Sequence, residues 1–362
     1  MRTRILLVFS AVLLGISLFV VAGDIRAATE PSDVIGNNSC ANIICTRMKF
    51  LDKNSPYLVK ISSGGEDPNA QSGGTGFVHK NEDGRFVIIT NNHVLGPLAN
   101  PKVAVLFEGE DRWQDVEIVG RDPALDVALL AMPESRPRQV MPAPVNFSVS
   151  LEIGDEIYGI GYPLNKREIS FGWVNGLESP GSQWSFSSQV PIHPGNSGGP
   201  MVRFGKNGQP EIVGVNTEIF SLGVKSFSIH TRYVGKILPR LLREKIVSHA
   251  AAGMKFDDSK KIPPFFFRNV LQTAYPPSES GVMVVDAMPG SPAEQAGFKG
   301  GDILAKAVVK GHEIPFKNAR ELLELIFFDL RPGDPLTLFV KRGDQVLEKT
   351  VVLGEHALSS EK

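Results

Sequence analysis

Cysteine is almost missing from this chain: Cys40 and Cys45 are the only two in 362 residues. Two cysteines cannot make a disulfide framework, and they are too few for a structural zinc site. In an oxidising compartment they could close one small local disulfide; two inert thiols are the equal alternative. An excess of either charge is also missing. Lys and Arg number 38 against 39 Asp and Glu, a net charge of −1. With no basic patch or stripe, nucleic acid is excluded as the main partner. Nothing in the residue pattern indicates a metal or an organic cofactor, so none is expected. Long apolar runs are confined to the N-terminus, where Arg2 and Arg4 precede an uncharged stretch from Ile5 to Ala22. A positive flank, an apolar run and small residues at Ala22 and Ala27 make a secretory signal. The run is also just long enough to cross a bilayer. Residues 1–28 are therefore read as a signal peptide or a single-span inner-membrane anchor, with the rest of the chain outside the cytoplasm, expected in the periplasm.

Hydrophobic residues make up 42% and charged residues 21%, the composition of a globular protein with material for two cores. Residues 29–55 are polar and read as a linker or arm. From 56 to 248, short β-branched runs such as Val103–Phe107 and Val116–Val119 alternate with Gly, Pro, Asn and Asp. Many short strands at that spacing predict a mainly β sandwich or barrel. Val234, Ile237, Leu238, Leu241, Leu242 and Ile246 then recur at helical spacing, with Pro239 expected to kink that helix or to mark its first turn. Residues 249–261 read as a linker, and 262–356 as a second, α+β domain with strands at Val282–Val285, Leu336–Val340 and Val346–Leu353 and a helix over Ala319–Phe328.

Chemistry concentrates in Pro194-Gly195-Asn196-Ser197-Gly198-Gly199-Pro200. Glycines around a serine permit backbone angles that a Cβ forbids. They can turn the hydroxyl outward while the N–H groups of Gly195 and Ser197 converge as an oxyanion hole. Upstream, the apolar run Phe86–Thr90 ends at Asn91-Asn92-His93, which puts one imidazole at a strand end. Asp126 sits in an otherwise apolar segment, where a carboxylate needs a donor. Asp122 competes for that role, but the apolar run begins at Asp126. The chain order His93, Asp126, Ser197 is that of the chymotrypsin-type triad.

These segments, with Ser72-Gly73-Gly74-Thr75-Gly76, Gly161-Tyr162-Pro163 and Ile212–Thr217, resemble the HtrA/Deg family of trypsin-fold serine proteases. Gly290-Ser291-Pro292-Ala293 and Gly301-Asp302 resemble the PDZ domain of that family. The resemblance implies a chymotrypsin-like double β-barrel followed by a small PDZ domain. It implies hydrolysis of unfolded or regulatory proteins through an acyl-enzyme, with His93 as base and Asp126 orienting it. A substrate pocket lined by Pro191, Ile192, Thr217 and Ser226 carries no charge, so small or medium aliphatic residues are expected in it. Asn196 cannot make the ion pair by which a cleaved N-terminus activates digestive relatives. The PDZ domain is expected to bind C-terminal peptides, with its groove wall at Phe265, Phe266 and Phe267. The family also implies a homotrimer, with Phe50 and Tyr57 as candidate contacts. The alternative class is a peptide-binding holdase with an idle barrel, against which the complete His93, Asp126, Ser197 set argues.

Overall fold

The computed structural model describes residues 42–64, 72–98, 100–178, 183–220, 225–269 and 281–356. The expected signal or anchor segment and Cys40 lie outside these residues. Cys45 is disulfide-bonded and sits in the first turn of helix α1 (Ile43–Lys53). The expected polar arm thus contains a helix, begun where the Asn42 side chain accepts the Ile44 N–H at 2.8 Å and anchored by the buried Leu51.

The β-branched runs become antiparallel strands: β1 (Leu58–Gly64), β2 (Ser72–Lys80), β3 (Phe86–Thr90), β4 (Lys102–Phe107), β5 (Gln114–Val116), β6 (Ile118–Asp122) and β7 (Val127–Ala131). They form a seven-stranded sheet in the order β5-β4-β1-β2-β3-β7-β6. A second set, β8 (Glu156–Gly161), β9 (Glu168–Gly176), β10 (Ser185–Ser188), β11 (Pro200–Phe204), β12 (Pro210–Phe220) and β13 (Lys225–His230), closes into a barrel. Phe77, Ile88 and Leu129 fill the first core, and Ile157, Val174, Phe186 and Met201 the second. Fully burying an apolar side chain of this size contributes about 1.5–3 kcal/mol, so these alternating inward residues dictate the register. Tyr57, expected as an inter-subunit contact, is 3% exposed and belongs to the first core. Phe50 stays exposed.

Helix α2 (Thr231–Leu241) follows β13, and its stripe of Val234, Ile237, Leu238 and Leu241 is buried. Pro239 falls in its last turn rather than its first; having no N–H it leaves the Gly235 carbonyl without its usual helical donor, and the helix ends two residues later at Leu241. The second domain begins earlier than its composition indicates. Segment 249–261 reads as a polar linker, yet it carries β14 (Ala250–Ala251) and β15 (Met254–Asp258). Met254 is buried and Phe256 packs on the core, so half of this charged stretch faces inward. The three phenylalanines expected as a groove wall lie in a short helix opened by Pro264, α3 (Pro264–Asn269), that buries Phe267 and leaves Phe265 61% exposed.

The remaining elements are β16 (Val282–Ala287), α4 (Pro292–Gln295), β17 (Ile303–Val309), β18 (His312–Ile314), α5 (Ala319–Glu324), β19 (Pro335–Arg342), β20 (Gln345–Val352) and β21 (Gly354–Glu355). The sheet runs β15-β16-β17-β19-β20, with β18 on β17, while β14 pairs β21. Helix α5 continues into a π-turn over Leu325–Asp329. That turn inserts Phe327 and Phe328 against Trp184, at ring separations of 4.9 and 4.8 Å. Beside it, Glu324 accepts from Arg232 at 2.6 Å, Lys236 at 2.7 Å and the Tyr233 hydroxyl at 3.0 Å. Burial would raise this carboxyl, but Lys236 and Arg232 hold it below the usual carboxylate range.

His230 caps α2: its Nδ1 accepts the Arg232 N–H at 3.1 Å, which requires an unprotonated Nδ1. Burial, then Arg232, Arg320 and Arg203, push its pKa down to about 4. The unfolded chain, titrating near 6.5, binds the proton first, so this cap's contribution is complete above about pH 6.5 and is lost as pH falls toward 4. Thermal melts should show that slope in the wild type and a flatter one in His230→Asn, which keeps a capping oxygen. Equal slopes in the two proteins would refute it.

Candidate active site

β3 delivers its C-terminal end to the boundary between the two β domains, and His93 follows directly in a single turn of 3₁₀ helix, His93–Leu95. The hairpin from β6 to β7 delivers Asp126 to the same place. Asp126 has φ +60°, a left-handed conformation that costs a non-glycine residue about 1–2 kcal/mol. Its surroundings hold it there. The Asn91 amide donates to the Asp126 carbonyl at 2.9 Å, and the His93 backbone N–H donates to Oδ1 at 2.9 Å. Oδ2 takes the Thr217 hydroxyl at 2.6 Å and lies 2.8 Å from His93 Nδ1. Burial alone would raise the Asp126 carboxyl; the bonds and charge from His93 and the Thr217 hydroxyl hold it below its ordinary value. A carboxylate only accepts, so Nδ1 carries the hydrogen and Nε2 is left as an acceptor in the neutral ring.

Ser197 arrives from the other barrel, in the turn before β11. Gly195 has φ +106° and Gly198 φ +82°. A Cβ on Gly198 would sit 2.1 Å from the Thr75 carbonyl oxygen, so no other residue fits that turn unchanged. Thr75 of β2 clamps the loop: its N–H donates to the Ser197 carbonyl at 2.8 Å, and its hydroxyl donates to the Gly195 carbonyl at 2.7 Å while accepting the Tyr162 N–H at 3.0 Å. Among the described residues, the N–H groups of Gly195 and Ser197 donate to nothing. The Ser197 hydroxyl donates to the Thr217 carbonyl at 3.3 Å. Thr217 therefore touches Asp126 with its side chain and Ser197 with its backbone. Asn196 is 3% exposed, and its Oδ1 has no hydrogen-bond partner among the described residues.

The other expected positions are more scattered. Pro191 is exposed, Ile192 is buried in the core of the second barrel, and Ser226 is buried with its hydroxyl 2.7 Å from that of Ser188. Phe265, Phe266 and Phe267 lie in α3 of the second domain. Sequence reasoning missed Thr75 and Asn91 and placed Thr217 only in the pocket. It also missed Arg121, whose guanidinium ties the segment around His93 together through Asn92 Oδ1 at 2.7 Å, the Gly96 carbonyl at 3.0 Å and the Leu98 carbonyl at 2.9 Å. A cleft of about 1030 Å³ opens here, lined by His93, Leu98, Pro101, Ile118, Arg121 and Ile246.

A trypsin-like peptidase domain model matches residues 74–215, and a PDZ domain model matches 253–353. The chain is an HtrA-type serine protease with one PDZ domain. A serine protease Do-like HtrA of Bacillus subtilis (strain 168) is 28% identical over 348 residues, 91% of this chain and 73% of its own length. A probable periplasmic serine endoprotease, DegP-like, of Pseudomonas putida (strain W619) is 27% identical over 266 residues, 71% of this chain and 51% of its own length. Among solved structures, an HtrA-type protease AlgW with a tripeptide superposes with a TM-score of 0.65 at 20% identity, covering 85% of this chain and 96% of that one. In this HtrA-type chain the Thr75 clamp is the part most exposed to a simple stability test. Thr75→Val keeps the shape but strips the Gly195 carbonyl and the Tyr162 N–H of a buried partner, each loss costing about 1–3 kcal/mol. Urea unfolding should show that loss, with recovery in Thr75→Ser; a Thr75→Val midpoint equal to wild type would refute the clamp.

Proposed function

We propose that this HtrA-type protease is an extracytoplasmic endopeptidase in which His93, Asp126 and Ser197 form the catalytic triad. The observation that carries the reading is the convergence on Thr217. One residue contacts both the buried carboxylate that orients His93 and the hydroxyl of the serine opposite it. His93 Nε2, left as an acceptor by the Nδ1 bond to Asp126, is the base for the Ser197 proton. The hydroxyl attacks the scissile carbonyl, forming an acyl-enzyme and returning that proton to the leaving amine; water then repeats the sequence to release the acid. The unengaged N–H groups of Gly195 and Ser197 are the donors for the oxyanion, worth about 3 kcal/mol each at the transition state. The bond from Ser197 to the Thr217 carbonyl is that of a resting enzyme, since catalytic hydrogen bonds tighten when substrate binds.

The substrates proposed are unfolded or regulatory proteins outside the cytoplasm, in keeping with the periplasmic DegP-like relative. The neutral surroundings of Pro191, Ile192 and Ser226 favour small or medium aliphatic side chains over Lys or Arg. β15 is an edge strand of the PDZ sheet, so a C-terminal peptide adds beside it as a further strand. A homotrimer is proposed on family grounds, with the exposed Phe50 available to it.

A fluorophosphonate probe tests the chemistry directly. The full-length protein should be labelled at Ser197, Ser197→Ala should not be, and Asp126→Asn should lose about 10⁴-fold in kcat, as a triad with the wrong imidazole tautomer does. A folded wild-type protein that resists labelling and cleaves no denatured protein would leave the holdase reading in its place.

A further inference from the structure

The structure assigns a positioning residue to this reaction that lies at the domain boundary: we infer that His249 holds the turn carrying Asp126 and does so from the PDZ side. The inference rests on reading Asp126 as the orienting acid. His249 and Asp122 both have side chains with 0% exposure. His249 Nε2 lies 2.7 Å from Asp122 Oδ2, and Nδ1 lies 2.8 Å from the Phe327 carbonyl oxygen. A carbonyl can only accept, so Nδ1 bears a hydrogen. Asp122 Oδ1 already accepts the N–H groups of Ala124 at 3.1 Å and Leu125 at 2.9 Å. Nε2 and Asp122 Oδ2 share a hydrogen bond, so the ring bridges the Phe327 carbonyl and the Asp122 side chain. The Phe327 ring stacks on it at 3.7 Å and 12°.

The other end of this bridge is the turn itself. Ala124 and Leu125, whose N–H groups Asp122 holds, are the two residues before Asp126. Asp126 keeps its left-handed φ only if the turn is fixed on both sides. Asn91 and His93 fix it from the end of β3; Asp122 fixes it from below, and His249 fixes Asp122. The segment bearing His249 is itself pinned to β6, with the Arg121 N–H on the Lys245 carbonyl at 3.0 Å and the Val247 N–H on the Arg121 carbonyl at 2.8 Å. An unbroken series of contacts thus runs from the π-turn after α5 through His249 and Asp122 to Asp126 and His93. Without His249, the Asp122 carboxylate would be buried against two N–H groups alone and would draw the turn toward a new partner.

His249→Phe in the full-length chain removes both hydrogen bonds while keeping a ring to stack on Phe327. The readouts are kcat and KM on a short chromogenic peptide, and the downfield proton resonance of His93 Nδ1–H bonded to Asp126. We expect kcat to fall at least 10-fold, KM to stay within about two-fold, and the resonance to shift or broaden. A folded His249→Phe protein with wild-type kcat, or with lowered kcat and an unmoved resonance, overturns the inference. Should His249→Phe not fold, Asp122→Asn serves in its place, with the same expected direction and the same overturning results. If the wild type shows no peptidase activity, the proposed function fails by itself. The resonance then still decides whether His249 positions Asp126.

Discussion

Everything in the candidate active site depends on keeping the Asp126 carboxylate ionised in a place with little water. An isolated carboxylate could not stay charged at 12% side-chain exposure; it would take up a proton. Three donors prevent this: the backbone and ring of His93 and the hydroxyl of Thr217. Two come from His93 in the turn after β3 and the third from strand β12 of the other β domain. The carboxylate is therefore both the reason the two β domains must meet here and the device that fixes the histidine tautomer. Its left-handed backbone is strain that the rest of the hairpin has to support.

The two domains are joined by more than a linker. Phe327 and Phe328 leave the PDZ domain and complete the protease core beside Trp184 and Tyr233, with Tyr233 and Phe328 stacked at 5.4 Å. Glu324 adds a buried charge met by Arg232 and Lys236. Aromatic burial supplies the affinity of such a contact, whereas the charge cluster fixes its orientation, because a carboxylate so buried tolerates few other placements. One side of helix α5 is thus committed to the protease domain, and its N-terminus is tied to the PDZ edge strand through Ala319 N–H and Asp258 at 2.8 Å.

Much of this was legible in the residues. The apolar run Phe86–Thr90 announced a strand and placed His93 at its end, and the glycines around Ser197 announced a forced turn. Asp126 was singled out because a carboxylate amid Val127–Leu130 requires a partner, and Asp122, its competitor, proved to have a different histidine. Two segments are harder to read from the residues. Segment 249–261 reads as a linker because edge strands carry charge on their solvent side, and the run Phe265–Phe267 does not reveal which of its rings will be buried.

Local pattern determined which segments are strands, where the turns fall and which polar residues are too costly to bury alone, since these follow from periodicity and backbone sterics within a few residues. Tertiary structure alone decided the partners. His249 and Asp122 stand 127 positions apart, and Thr217 and Asp126 stand 91 apart. A hydrogen bond of under 3 Å across such separations is set by how two domains pack, and no local sequence pattern encodes that distance.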